Sequence, residues 1–559
     1  MADRSIYKKK YDVKPVKNIK DMMEQAVSEC PDKYAFRYRE GKSIKNVTFK
    51  EFYELTLALG ASLKNLGTKD KHIACIGENS FNWITVFYTV LKSDAVYVPI
   101  DKELPLKDIV YVLNHSDSDM LFYSKRYEKH IEDIKKECPK VKKFIAFDNE
   151  EDESDEILSY KKFVEAGKKL VEEGKFKEED HDTNILKEII YTSGTTGLAK
   201  GVMLTESNLV HVVVGAKEIT TLEDVVLSVL PYHHTYESSC DILIGMHNHT
   251  TVCINDSLKN ILPNLQEFKP GLMMIVPAFA ELFYKKIWAT AEKEGKAGAL
   301  RTLLKVSNGL RKIHVDLRKP LFKSVRNAFG GNLVQLISGG APLRAEIGKF
   351  FNDIGILMQN GYGITECSPL VSVNTPLLND PSTVGLPLTC VEVKTVNDTE
   401  EGIGEICVKG DIVMLGYYKN EEKTKEVLQD GWFNTGDYGR ITDKGQIQIV
   451  GRKKNFFVLE NGKNVYPEEI ENYVLAIPYV QEAIVKASTN EHGMNGNNLV
   501  AEVFLNAEAV KEFGNIDISK KLKDDINEQT KELPVYKHIS EIIIRDKEFE
   551  KTTTNKIKR

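Results

Sequence analysis

The chain has 559 residues, 42% of them hydrophobic, and a formal net charge of −6. That length predicts about three to four domain-sized units with ample core, and the weakly acidic balance gives no global reason to expect a nucleic-acid partner. Eight scattered cysteines without a CxxC pair fit reduced thiols in a cytoplasmic setting rather than a disulfide framework.

The first residues, MADRSIYKKKYDVK, lack the apolar core of a secretory signal. Next, VTFKEFYELTLALGASLKNLG places Thr48 and Glu51 in a capping box ahead of apolar residues at helical spacing. HIACIG reads as a short buried strand, FNWITVFYTVLKSD as a helix and AVYVPI as the next strand. This alternation predicts a parallel sheet covered on both faces. The most apolar stretch, ITVFYTVLKSDAVYVPI from Ile84, is interrupted by Lys92 and Asp94. It is too short and too charged to span a bilayer, so no transmembrane segment is expected. Residues 148–184 are dense in charge and read as an exposed connection with some helix.

LKEIIYTSGTTG is a strand entering a glycine loop, after which Thr205 can cap a helix from Glu206. Strand-like runs recur at VVLSVLP, TTVCIN, LMMIV and LVQLISGG. From about 390 the pattern turns β-rich, through VEVKTV, GEICVKG, GRIT and QIQIVG, with Asp443-Lys444-Gly445 as a turn. After Gly451, Pro467 followed by Glu468 and Glu469 opens a helix. Two strands, a charged helix near 517–532 and a strand at EIIIRD complete a small α+β unit.

YTSGTTGLAKG, residues 191–201, carries the chemistry most openly. Its glycines let backbone N–H groups approach one anion, its hydroxyls add donors, and Lys200 adds a point charge. It is not a Walker A loop, because Lys200 is followed by glycine. Alone, it is also compatible with a generic turn. QNGYGITE (359–366) offers a ring at Tyr362, a hydroxyl at Thr365 and a carboxylate at Glu366, a set that suits a base, a phosphate and Mg²⁺. NTGDYGR (434–440) puts Asp437 in what reads as a tight loop, where a carboxylate can accept ribose hydroxyls, and GRKKN supplies Arg452 nearby. Lone Asp and Arg residues are otherwise ordinary surface groups.

YTSGTTGLAKGV, SGGAPL, NGYGITE, NTGD, GRKK and the lysine of KTTTNKIKR occur in one order over most of the chain. This set resembles the AMP-forming adenylate-forming superfamily of acyl-CoA synthetases, adenylation domains and luciferases, over roughly Thr48 to Arg559. GRKKNFFVLENGKNVYPEEIE is most similar to long-chain fatty acyl-CoA synthetases. The resemblance implies an α/β fold: a large adenylate-forming domain, residues 1–452, of parallel-rich sheets with a β-rich subdomain. A small mobile C-terminal α+β domain, residues 453–559, would hinge near Lys454.

The resemblance also implies site roles. Thr192, Ser193, Gly194, Thr195, Thr196, Gly197 and Lys200 would hold the β- and γ-phosphates of ATP. Gly340 and Ala341 would line the adenine slot, and Tyr362, flanked by Gly361 and Gly363, would stack on the base. Thr365 would touch the α-phosphate, Glu366 and Thr192 would place Mg²⁺, and Asp437 with Arg452 would hold the ribose. His234 would border the acyl pocket, with His233 the less favoured of the pair and a hydrogen-bonded core histidine the alternative. Lys556 would bridge carboxylate and α-phosphate during adenylation. Rotation about Lys454 would then bring in the loop around Gly462, leaving room for the pantetheine arm of coenzyme A. Two departures stand out: Ala199 replaces a proline frequent in relatives, and Asn555 a glycine.

The implied activity is ATP-dependent activation of a medium- to long-chain fatty acid and its transfer to coenzyme A. The alternatives are an acyl carrier protein as acceptor, or a non-catalytic nucleotide-binding relative. Residues 285–326 carry 12 Lys/Arg against 3 Asp/Glu, interleaved with Trp288, Leu303, Leu304, Leu310 and Leu317. Against a merely solvated helical face stands an anionic contact: an acidic carrier protein, or peripheral contact with the inner membrane surface.

Overall fold

A computed structural model describes residues 11–192, 199–397, 399, 402–489, 494–511, 513, 514, 516–551, 557 and 559. The capping box forms as the local sequence dictates. Thr48 Oγ1 accepts from the Glu51 amide at 3.1 Å, and Glu51 Oε2 accepts from the Thr48 amide at 2.8 Å, which starts the helix Phe49–Asn65. Its buried face includes Phe52, Leu59 and Leu63. The next helix, Phe81–Leu91, is buried all round apart from Asn82, as its unbroken apolar character requires. Among the described residues no helix is long and apolar enough to cross a membrane.

The charged stretch 148–184 does more than connect. Ile157–Ser159 adds a parallel edge strand beside Lys143–Ala146. The helix Tyr160–Glu172, capped by Ser159, buries Tyr160, Phe163, Val164 and Gly167. Gly167 sits so close to the Phe49–Asn65 helix that a Cβ would fall 1.8 Å from the Ala58 carbonyl oxygen. The apolar stripe at helical spacing was present in the sequence but diluted by lysines and glutamates on the other face.

The chain divides into two compact units. The first takes in Met1–Glu392, Val408–Phe433 and Asp443–Gln446. It holds two large sheets. In one, Val96–Ile100, His72–Ile76, Met120–Tyr123, Lys143–Ala146 and Ile157–Ser159 run parallel. Leu186–Thr192 joins Val96–Ile100 in parallel, then turns back as Lys200–Thr205, against which the short strand Gly416–Tyr417 lies antiparallel. In the other sheet, Tyr34–Glu40, Thr251–Ile254, Val225–Ser228, Leu272–Ile275, Gln335–Ser338 and Leu357–Gly363 run parallel, with antiparallel strands at both ends. Strands such as HIACI, VYVPI, TVCI and LMMI are apolar throughout because both faces are covered.

The second unit comprises Val393–Cys407, Asn434–Thr442 and Ile447–Arg559. Val480–Thr489 and Asn495–Leu505 pair antiparallel, and Ile539–Arg545 joins in parallel. The helix Pro467–Leu475 begins with its proline in the first turn. The charged helix Ile518–Thr530, capped by Asp517, buries Leu522, Ile526 and Thr530. Leu522 and Ile526 share a core with Val465, Ile470, Val474, Val485, Leu499 and Val503.

Candidate active site

In a sheet of parallel strands, ligands collect where the strands end, because chain reversals there open crevices lined by loop side chains. In the first unit that edge gathers several residues singled out by sequence. Val225–Ser228 leads to His233 and His234, Gln335–Ser338 to Gly340 and Ala341, and Leu357–Gly363 ends on Gly361, Tyr362 and Gly363. The last two strands are parallel neighbours in register, Ser338 opposite Asn360, so the SGG and GYG segments emerge side by side. Gly340 has φ +80°, a left-handed backbone open to glycine. Gly340 and Ala341 are exposed, whereas Tyr362 is buried. Gly363 has a steric reason: a Cβ there would fall 2.0 Å from the Pro369 carbonyl oxygen. QNGYGITE is therefore strand followed by a short 3-10 turn, Thr365–Cys367.

The base of the glycine loop comes from the other sheet. Leu186–Thr192 and Lys200–Thr205 form a hairpin with Thr192 opposite Lys200. Ser193, Gly194, Thr195, Thr196 and Gly197 lie outside the described residues. The stem is pinned on its far side, where Tyr111 OH donates to the Ala199 carbonyl at 3.1 Å and Tyr191 OH meets His115 Nδ1 at 2.8 Å.

A tyrosine that the sequence did not single out links this stem to the acidic residue. Tyr417, paired opposite Val202, donates its hydroxyl to Glu366 Oε1 at 2.7 Å. The Lys200 ammonium stands 5.4 Å from the centre of the same ring. Burial first, and the Glu366 carboxylate second, push the Tyr417 phenol upward, so it remains a donor. Glu366 is further fixed by its carbonyl, which accepts from the Met414 amide at 2.9 Å. Glu366 Oε2 has no protein partner among the described residues. A half-buried carboxylate with one oxygen held and the other open suits a hard cation such as Mg²⁺. The described residues contain no cluster of three His, Cys, Asp or Glu side chains that could hold a metal alone.

The two histidines have different surroundings. His234 caps the one-turn helix Thr235–Glu237, its Nδ1 accepting from the Tyr236 amide at 3.2 Å. Tyr236 OH in turn donates to the Ile337 carbonyl at 2.8 Å, and its ring covers Gly339. His233 Nε2 lies 3.6 Å from Asp101 Oδ1, and burial lowers its pKa, the Asp101 charge opposing.

In the second unit, Asp437 faces Arg452 across paired strands Trp432–Ile441 and Ile447–Arg452, and Arg452 Nε meets Asp437 Oδ1 at 2.8 Å. Asp437 is thus within a strand, not in the tight loop its flanking glycines suggested. Those glycines serve a distortion of the strand: Gly436 has φ +71°, and the pairing register slips after Tyr438. Asp437 is buried, while Arg452 is 43% exposed and open to a ligand. Lys454 is exposed in the turn that follows, and Gly462, φ +78°, closes the hairpin between Phe457–Val458 and Asn464–Val465 with open space beside its Cα. Lys556 lies outside the described residues, although Lys551 and Ile557 on either side of it form an antiparallel bridge.

Known proteins resemble this chain in sequence and in fold. The long-chain-fatty-acid–CoA ligase FadD15 of Mycobacterium bovis is 29% identical over 84% of this chain and 80% of its own length. The long chain acyl-CoA synthetase 4 of Arabidopsis thaliana is 28% identical over 88% and 83%. Among solved structures, the anthranilate CoA ligase AuaEII in complex with anthranoyl-AMP superimposes with a TM-score of 0.76 at 19% identity, covering 98% of this chain and 96% of that one. ATP-bound MatB from Rhodopseudomonas palustris gives 0.74 at 22%, covering 97% of each. A family model described as AMP-binding enzyme matches residues 23–418, most of the length, and the chain belongs to that family.

Proposed function

We propose that this chain activates a medium- to long-chain fatty acid with ATP, forming an acyl-adenylate and pyrophosphate, and transfers the acyl group to the thiol of coenzyme A with release of AMP. The observation that carries this reading is the Lys200–Tyr417–Glu366 arrangement, which sets a cation and a half-free carboxylate at the stem of the glycine loop. The long-chain names of the curated relatives support the substrate class and favour coenzyme A over a carrier protein as acceptor.

A fatty carboxylate is a weak nucleophile. Its attack on the α-phosphorus depends on alignment and on neutralising charge on the departing pyrophosphate. Thr192, Lys200 and the loop between them would grip the leaving phosphates. Glu366 and Thr192 would hold Mg²⁺, which when bound offsets phosphate charge. Tyr417 keeps the Glu366 carboxylate aimed. Tyr362 would stack on adenine beside Gly340 and Ala341, Thr365 would touch the α-phosphate, and the Asp437–Arg452 pair would take the ribose hydroxyls. His234 would border the acyl chain. Lys556 would bridge carboxylate and α-phosphate oxygens, where its charge counts most in the transition state. Withdrawal of a C-terminal domain of residues 453–559 about Lys454 would then open a path past Gly462 for the pantetheine thiol. The basic stretch 285–326 would meet an anionic membrane surface from which the fatty acid arrives.

The test is fatty-acid-dependent exchange of labelled pyrophosphate into ATP across a panel of carboxylic acids, followed by a choice of free coenzyme A or holo carrier protein as acceptor. Medium- and long-chain acids should support exchange, and coenzyme A should be acylated. Absence of exchange with every such acid would sink the reading.

A further inference from the structure

The sheet that presents His234, Gly340 and Tyr362 at one edge has a second feature where its strands begin. A cleft of about 620 Å³ opens beside Val225, Gly271 and Val334, at the starts of three neighbouring parallel strands. It is thus separate from the candidate active site. Four cations line it: Lys269, Lys319, Lys323 and Arg326. Two carboxylates also line it, and one of them, Asp224, is engaged by Lys33 at 3.1 Å. Arg326 is buried and fixed, one guanidinium nitrogen donating to the Gly355 carbonyl at 2.7 Å. Lys319 and Lys323 are exposed and pair with no carboxylate among the described residues, whereas nearby Arg311 and Arg318 are held by Asp353 and Asp316. The cleft therefore offers uncompensated positive charge to an anion.

An apolar element adjoins it. The helix Ala297–Arg311 ends in a tight turn, where the amides of Ile313 and Val315 both donate to the Leu310 carbonyl at 3.0 Å and His314 takes φ +61°. This turn holds Ile313, Val315 and Leu317 outward, with exposures of 67%, 39% and 40%, just ahead of Arg318–Leu321, which carries Lys319. Cations beside exposed aliphatic side chains match a membrane interface. There the headgroups supply phosphate and the acyl boundary receives the apolar groups. An acidic protein would complement the cations but gives no reason for the apolar turn.

We infer that this face docks on an anionic phospholipid surface, a headgroup phosphate seated among Lys319, Lys323, Lys269 and Arg326, and Ile313, Val315 and Leu317 entering the acyl boundary. The inference rests on the reading of residues 285–326 as a membrane contact and names its anchor.

The test is sedimentation of the full chain with phosphatidylcholine vesicles, with and without phosphatidylglycerol. Lys319→Glu/Lys323→Glu and Ile313→Asp/Leu317→Asp are compared with the parent, and thermal melting checks that each is folded. Binding should require phosphatidylglycerol and weaken with salt. It should fall about tenfold or more in either double variant, since each basic residue near such a surface contributes roughly a factor of five. Equal binding to both vesicle types, or binding unchanged in both variants, overturns the inference. If vesicles do not bind but inorganic phosphate alone raises the melting temperature of the parent and not of Lys319→Glu/Lys323→Glu, the cleft serves free phosphate and the lipid assignment falls. The assignment falls equally if the variants lose an acidic carrier protein rather than vesicles. Pyrophosphate exchange with a dispersed fatty acid should stay at the parental rate in both variants. Its absence from the parent would sink the proposed function while leaving the vesicle result standing.

Discussion

The Tyr417 hydroxyl donates to Glu366 Oε1 at 2.7 Å while the Lys200 ammonium sits over the same ring. One side chain thus holds the Glu366 carboxylate and neighbours the stem of the glycine loop. A hydrogen bond to a charged group is worth about 1.5–3 kcal/mol. Tyr417→Phe keeps the ring and removes only the donor. It should lower fatty-acid-dependent pyrophosphate exchange by roughly ten- to a hundredfold at limiting Mg²⁺. If Glu366 holds Mg²⁺, excess Mg²⁺ should recover part of the loss, because a loosely aimed carboxylate would still bind the ion weakly. Glu366→Gln should lose more and recover less. Equal loss at low and saturating Mg²⁺ in Tyr417→Phe would remove the positioning role.

The ion pair between Arg452 and Asp437 gives a second expectation. Asp437 is buried, and Arg452 is 43% exposed. If the pair receives the ribose, Arg452→Ala should raise KM for ATP by about tenfold through the loss of one charge-assisted contact. KM for the fatty acid should change little. Arg452→Lys should recover only part, since an ammonium cannot reproduce the planar fork. The check is initial-rate kinetics with each substrate varied; an unaltered KM for ATP in Arg452→Ala would move the ribose site elsewhere.

A third expectation concerns pH. Glu188 lies in the strand that leads into the glycine loop, fully buried, with neither carboxylate oxygen hydrogen-bonded among the described residues. Burial pushes its pKa from 4.5 up to about 8. The folded protein therefore keeps a proton that the unfolded chain has already released. Below pH 4.5 Glu188 adds no ionisation penalty, and stability is lost progressively as pH rises from there through about 8. The cumulative loss is of the order of a few kcal/mol. Glu188→Gln should melt close to the parent in acid and at higher temperature above pH 8, with the gap widening between. Parallel melting profiles across that range would show that Glu188 is not the group responsible.

How much of this was legible in the sequence depends on the distance over which each feature is specified. Thr48 with Glu51, Thr205 before its helix and Pro467 with its two glutamates act within one turn, and each forms as read. The apolar runs gave the parallel strands, because burial on both faces leaves no polar alternation to misread. Asp437 was misplaced because Gly436 and Gly439 signal a loop, whereas they serve a bend inside a strand. Some helix was expected within 148–184, but the buried face of Tyr160–Glu172 was obscured by the charge on its outer face. Tyr417 was invisible as a partner of Glu366, since 51 residues separate them and they meet through long-range contacts, the Gly416–Tyr417 pairing with the loop hairpin and the Met414 amide on the Glu366 carbonyl.

The last expectation separates the two half-reactions. Lys556 is flanked by Lys551, which meets Glu482 at 2.5 Å and Glu548 at 2.9 Å, and by Ile557, which bridges back to Lys551. Arg559 pairs with Glu468 and Glu471. The described residues on either side, Lys551 and Arg559, are thus tied into the second unit, and we propose that Lys556 moves with it. A cation supplied in this way can serve adenylation and be absent when the thiol attacks. Lys556→Ala should then reduce acyl-adenylate formation by a thousandfold or so, the scale of losing a preorganised charge at the transition state. Thioester formation from supplied acyl-AMP and coenzyme A should stay within about threefold of the parent, because the missing charge has no part in a step that follows its departure. Arg559→Ala should weaken adenylation more mildly by loosening the tail. Single-turnover assays of each half-reaction decide the matter, and equal loss in both by Lys556→Ala would refute a lysine that leaves between steps.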